Sequence, residues 1–198
     1  MTTEVIGAYN GISVRLARHL DAQVVPPDSP ISSGTDGVVV VADVADPTLL
    51  GDVDSATWRR LVQDPLWRTI STFQRAYAAM RDRGGRIVLI VPTVGVAGAA
   101  RLVPYLTALE GIRAMAKSAA RQWSSQGVLV NTVAVPLGLL APRLADLDTH
   151  LTAPAVDSGD GDALIESIAE TTRFLLRRDV GHLVGQTISV DGGSVMLP

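Results

Sequence analysis

Two hydrophobic periods alternate along this chain. "GVVVVA" at Gly37–Ala42 and "RIVLIV" at Arg86–Val91 are nearly continuous β-branched runs, as strands buried on both faces should be. Weaker runs at Glu4–Ile6, Gln23–Val25, Val128–Val133 and Thr187–Val190 bring the expected strands to about six. Between them the period lengthens. "NGISVRLARHL" brings Ile12, Leu16 and Leu20 onto one helical face by i,i+4 spacing. Residues 55–85 read as one long helix, with a kink or reset expected at Pro65 and a stop at Gly84–Gly85. Residues 101–123 and 163–178 supply a third and a fourth helix. Strand–helix alternation of this kind predicts an α/β fold, a Rossmann-type doubly wound parallel sheet in one domain over residues 1–198. Residues 137–162, rich in Pro, Asp, Gly and Ser, read as a mobile flap carrying one short helix.

Composition narrows the chemistry. With 198 residues, 47% of them hydrophobic, and a net charge of −3 without basic clusters, the chain has a sizeable core and no footprint for nucleic acid. It has no cysteine, which excludes disulfides, thiolate metal sites and cysteine nucleophiles. His19, His150 and His182 lack ligand spacing, so no metal site is expected. No apolar run approaches the roughly 20 residues of a membrane span. The start, MTTEVIG, has no secretion-signal pattern, and a soluble cytoplasmic protein without membrane partners is expected.

From about Thr57 onward the motifs are specific. "GGRIVLIVPTVG", the helix 101–123, "GVLVNTVAV" and "FLLRRDVGHLVGQTISVDGG" together resemble the short-chain dehydrogenase/reductase family, most of all its 3-oxoacyl-acyl-carrier-protein reductases. The N-terminal third resembles it only through "GAYNGIS". The resemblance implies a catalytic tyrosine, a lysine one helical turn later that lowers the phenol's pKa and holds the cofactor ribose, a serine at the substrate oxygen and an asparagine behind a relay water.

Measured against that pattern, Tyr105 falls at the tyrosine position, Leu109 replaces the lysine, Pro92 replaces the serine, and the asparagine falls at or next to Pro65. Thr93 offers a hydroxyl one residue from the serine position, but on a strand that shift turns a side chain to the other face. Of 17 basic residues only Lys117 is a lysine, twelve positions past Tyr105 or roughly 18 Å along a helix. Arg101 and Arg113 lie nearby with no role in the family geometry. A tyrosine without a cation stays near its unperturbed pKa of about 10 and makes a poor base at neutral pH.

For the cofactor, Gly7, Gly11 and Ser13 resemble the family's Gly-x-x-x-Gly-x-Gly pyrophosphate turn, with serine in place of the last glycine. The sixteen residues between Leu20 and Gly37 cannot hold the strand, helix, strand and helix that the family places there, since strands run roughly 5–6 residues and helices roughly 11. One short strand and the linker "PPDSPISSGTDG" are expected, leaving the N-terminal half shortened. Asp43 stands where the family has a neutral strand end and would repel a pyrophosphate, by about 1 kcal/mol at 4 Å in water. The loop after Pro136 lacks the threonine expected for a carboxamide.

Two functions follow from the resemblance. One is a degraded, non-catalytic member without cofactor, assembling with an active full-length relative or with itself through the helices near 55–83 and 99–124 and the C-terminal strand. Trp67, Ile70, Phe73, Met115 and Trp123 would either face that neighbour or pack on the sheet. The other is an active NAD(P)(H)-dependent oxidoreductase with Tyr105 as acid, Thr93 for the serine and an arginine for the lysine. A third possibility is an apolar or acyl-type ligand in a pocket between Pro92, Tyr105 and the flap, made greasy by Leu109, Leu137, Leu139 and Leu140.

Overall fold

Each apolar run becomes a parallel strand. The structure, a computed structural model, describes residues 2–9, 11–148, 151–156 and 161–196. Its strands are β1 (Thr3–Ile6), β2 (Gln23–Val25), β3 (Gly37–Val41), β4 (Gly85–Pro92), β5 (Val128–Val135) and β6 (Thr187–Ser189). They form one sheet in the order β2-β1-β3-β4-β5-β6, parallel at every pairing. Every residue of β3, β4 and β5 is buried, which is why their sequences show no polar alternation.

Alternate side chains of the sheet feed two layers. Val38, Val40, Leu89 and Val91 pack with Phe73 and Met80 of α3 (Asp64–Met80) and Ile112 of α5 (Val103–Trp123). Val39, Val41, Val88 and Ile90 pack with Ile12 and Leu16 of α1 (Gly11–His19) and Ile165 and Ile168 of α7 (Asp162–Leu176). The remaining helices are short: α2 (Ser55–Trp58), α4 (Val94–Ala97) and α6 (Leu137–Leu140).

The break expected at Pro65 is a reset. Asp54 caps α2 by accepting the Thr57 amide at 2.7 Å. Arg59–Gln63 then form a wide π-helical turn closed by the Asp64 amide on the Arg59 carbonyl, and α3 starts with Pro65 in its first turn, where its missing N–H does no harm. The widened turn lets Leu61 and Val62, neighbours in sequence, both be buried. At the helix stop, Gly84 has φ 72°, and a Cβ there would come within 3.0 Å of the Gly127 carbonyl oxygen, so only glycine fits.

The shortened half is closed by its linker. Thr35 Oγ1 and the Ser32 amide donate to one oxygen of the buried Glu4 carboxylate, at 2.8 and 3.1 Å. On the other side the Pro27 carbonyl accepts from Arg75 and from Thr72 of α3. The sixteen residues between Leu20 and Gly37 therefore suffice to add one edge strand and return to β3. The flap differs from expectation in having two helical pieces, α6 and a 3₁₀ run over Pro142–Asp148. Leu137, Leu140 and Leu144 turn inward, a spacing too brief to read as a helix beforehand. Residues 149–150 and 157–160, part of the predicted flap, lie outside the described residues.

At the N-terminal edge of the sheet, charges are heavily bonded. The buried Arg86 donates to the carbonyls of Gly85, Gly127, Arg177 and Arg178 at 3.0 to 3.3 Å. Asp36 accepts the Thr2 amide at 3.1 Å and Arg178 at 3.2 Å, with Arg83 at 3.8 Å. The Thr2 amide first, and the two arginines after it, hold that carboxyl below its ordinary range.

Candidate functional site

The chain leaves β1 for β2 on one side and returns to β3 on the other, so the C-terminal ends of β1 and β3 form the crevice where sheets of this kind accept ligands. A cavity of about 770 Å³ lies over that point. Its floor includes Ile6 and Val40, and α5 walls it with Tyr105, Ala108, Leu109 and Ile112. Leu61 and Thr69 close the opposite side. Arg60, Arg68, Arg143, Asp43 and Asp46 also line it, from three separate segments.

Tyr105 sits in the first turn of α5, 5% exposed, with its hydroxyl buried and without a hydrogen-bond partner among the described residues. Leu109, one turn on, is 1% exposed in the same wall. Burial first, and the Asp43 carboxylate second, push the phenol above its ordinary range. Asp43 in turn pairs with Arg68 at 3.2 Å, and Asp46 with Arg143 at 2.6 Å. The guanidinium of Arg68 is thus compensated by the same carboxylate that opposes ionisation of the phenol. At neutral pH Tyr105 is a neutral hydrogen-bond donor in an apolar wall.

Thr93 does not share this space. It follows β4, donates its amide and hydroxyl to the Val135 carbonyl at 2.8 and 3.3 Å, and lines a second cavity with Pro136, Gly138 and Leu139. Pro92 ends β4 beside Val135 and lines neither cavity; its carbonyl accepts Arg113 at 3.4 Å. Arg113 is buried and also pairs with Glu110 at 3.2 Å, so it ties α5 to the end of β4. Arg101, exposed and at φ 66°, accepts the Thr48 amide on its carbonyl. Neither arginine lines the Tyr105 cavity. The expected greasy pocket is divided likewise: Leu109 and Leu140 line the first cavity, Leu139 the second, and Leu137 lines neither.

The β1–α1 turn is half open. A Cβ on Gly11 would meet nothing within 4 Å, which leaves room for a ligand to approach the backbone. By contrast, a Cβ on Gly7 would lie 2.9 Å from Ser13 Oγ and 3.1 Å from Val41 Cβ. Ser13 is fully buried, so a side chain occupies the position the family leaves to glycine. Arg60, Arg68, Arg143 and Asp46 were not marked by any spacing in the sequence, because folding brings them together from α3, its preceding turn, the loop after β3 and the 3₁₀ run after α6. Among the described residues no group of three or more His, Cys, Asp or Glu could hold a metal ion, and His150 lies outside them. No helix among them is long and apolar enough to cross a membrane.

Comparison with known proteins places this geometry. The family model described as enoyl-(acyl carrier protein) reductase matches residues 31–195. The chain belongs to the short-chain dehydrogenase/reductase family. Within that family it is 32% identical over 162 residues to cis-4-hydroxycyclohexanecarboxylate dehydrogenase of Sinomonas cyclohexanicum, a match covering 80% of this chain and 65% of that protein. It is 30% identical over 171 residues to the 3-oxoacyl-acyl-carrier-protein reductase FabG of Vibrio cholerae, covering 83% and 68%. The chain thus spans about two-thirds of the length of these two relatives. Among solved structures, ElxO with NADP bound superposes with a TM-score of 0.73 at 15% identity over 98% of both chains, which reflects the shared fold. The doubly wound sheet expected from the sequence is therefore the reductase-family sheet.

Proposed function

We propose that this chain is a non-catalytic member of the reductase family, acting in the cytoplasm as a subunit of a family-type oligomer with an active full-length relative or with a second copy. The observation that carries the reading is the buried Tyr105 hydroxyl, which has no partner among the described residues and shares its cavity wall with Leu109 in place of a lysine. Without an ammonium group the phenol neither gives up its proton readily nor regains it from a relay, and Thr93 faces a different cavity. The residues present do not fit a nicotinamide dinucleotide along its length. Gly11 leaves the pyrophosphate end open, whereas Ser13 fills the turn, Asp43 adds a like charge, and Leu109 offers the ribose no hydrogen bond.

Support for assembly comes from how the apolar helix residues divide. Phe73 is 2% exposed and Trp123 stacks on Tyr77 at 4.7 Å, so both serve the chain's own packing. Ile70 and Met115 are half-buried, while Trp67 on α3 is 65% exposed. Co-expression with family members encoded nearby, followed by size-exclusion chromatography and mass analysis, tests the reading; a lone monomer that ignores every relative would sink it.

A second reading, an active NAD(P)(H)-dependent oxidoreductase, draws on the open Gly11 and on its dehydrogenase and reductase relatives. Fluorescence titration with NADH and NADPH separates the two. Submillimolar binding abolished by Gly11→Trp, together with hydride transfer, would establish the second.

A further inference from the structure

We propose that the switch-point cavity binds a small apolar carboxylate, which replaces Asp43 as the partner of Arg68 and accepts a hydrogen bond from Tyr105. Three independent features of the cavity converge on this occupant. First, the Tyr105 hydroxyl is a buried donor with nothing to donate to among the described residues, and an unmet donor in an apolar wall calls for an oxygen acceptor. Second, the lining carries three guanidiniums against two carboxylates, and Arg60 makes no ion pair among the described residues, so the balance favours an incoming anion. Third, the walls made by Leu61, Leu109 and Ile112 are hydrocarbon, matching an apolar body behind the anionic end.

The exchange at Arg68 is physically easy. Its pair with Asp43 is half-exposed on both sides, at 47% and 39% side-chain exposure, and pairs of that kind hold weakly in water. Asp43 can swing into solvent when a carboxylate arrives, because its side chain already reaches water. The ligand anion then lies near the phenol, since Asp43, Arg68 and Tyr105 line the same cavity. An arginine fork offers a carboxylate two parallel donors, and the neutral phenol adds a third. No bond is made or broken and the chain needs no dinucleotide; the proposal rests on the reading above only in treating Tyr105 as a donor that keeps its proton.

Isothermal titration of the full chain with sodium octanoate, octanol and octylamine tests the site. Octanoate is expected to bind, octanol at least about tenfold more weakly, and octylamine not at all. Arg68→Met abolishes octanoate binding and Tyr105→Phe weakens it about fivefold, whereas Asp43→Asn, which removes the competing carboxylate, tightens it about tenfold. Because Asp43→Asn predicts a gain, it decides the matter even if Arg68→Met misfolds. Octanoate that fails to bind the Asn variant, or that binds wild type and variants alike, overturns the proposal and leaves the non-catalytic reading untouched. Hydride transfer from NADPH would overturn that reading, and the Asp43→Asn titration would still decide this one.

Discussion

The two edges of the sheet use polar groups in opposite ways. At the N-terminal edge, Arg86 spends its donors on four backbone carbonyls, and Asp36 gathers an amide and two arginines. Glu4 fastens the linker through one carboxylate oxygen, and its other oxygen is an unmet atom at this edge among the described residues. At the C-terminal edge, Tyr105 has no partner among the described residues, and the arginines there hold only exposed aspartates. Groups that meet their partners within the chain stabilise it; groups left wanting are available to something else. Buried polar atoms are nearly always bonded, so the unmet hydroxyl of Tyr105 is the group that the proposed ligand would satisfy.

Breaking the bonded edge has the largest expected effect. Arg86→Met removes four hydrogen bonds to backbone carbonyls and lowers stability by about 3 kcal/mol, read as a fall in the urea midpoint, without changing ligand binding at the other edge. Nearly as large is Leu109→Lys, which buries an ammonium in a wall now 1% exposed and lowers stability by about 2–3 kcal/mol at neutral pH. The same variant restores a cation one turn from Tyr105, so the phenol ionises at lower pH than in the wild type. Tyrosinate absorbance, with Tyr105→Phe as reference among only three tyrosines, reads that change.

A smaller effect is expected from pH. Asp36 ionises more readily in the folded chain than at its ordinary 3.8, so its contribution is complete above 3.8 and is lost as pH falls through the lower folded value. Asp36→Asn should flatten this part of the acid limb in urea titrations run from about pH 6 to about pH 2. Smallest of all is Tyr105→Phe, which deletes an unsatisfied hydroxyl and leaves stability unchanged or raises it by up to about 1 kcal/mol. A clear loss would mean that the hydroxyl has an internal partner, and would erase the contrast between the edges.

The strands and long helices were legible because their residues obey a local rule. β3 and β4 announce themselves by uninterrupted β-branched residues, and α5 by its apolar stripe. Tyr105 and Leu109 could be placed because they fall at fixed positions of a family helix. The arginine lining of the cavity could not be read, since Arg143 reaches it from the segment after α6 while Arg60 and Arg68 straddle the π-helical turn. No sequence period anticipates that turn. The separation of Thr93 from Tyr105 was foreseeable in principle from strand alternation, yet only the fold shows that each faces its own cavity.

The brevity of the outermost strands has a bearing on solubility. β2 and β6 are three residues each, and β2 runs straight into Pro26 and Pro27, which have no amide hydrogens to offer a neighbour. A stray chain seeking to lengthen the sheet finds too few free backbone groups on either flank. Shortening the N-terminal half therefore exposes no long adhesive border, and the trimmed domain is protected against fibrous aggregation by its own margins.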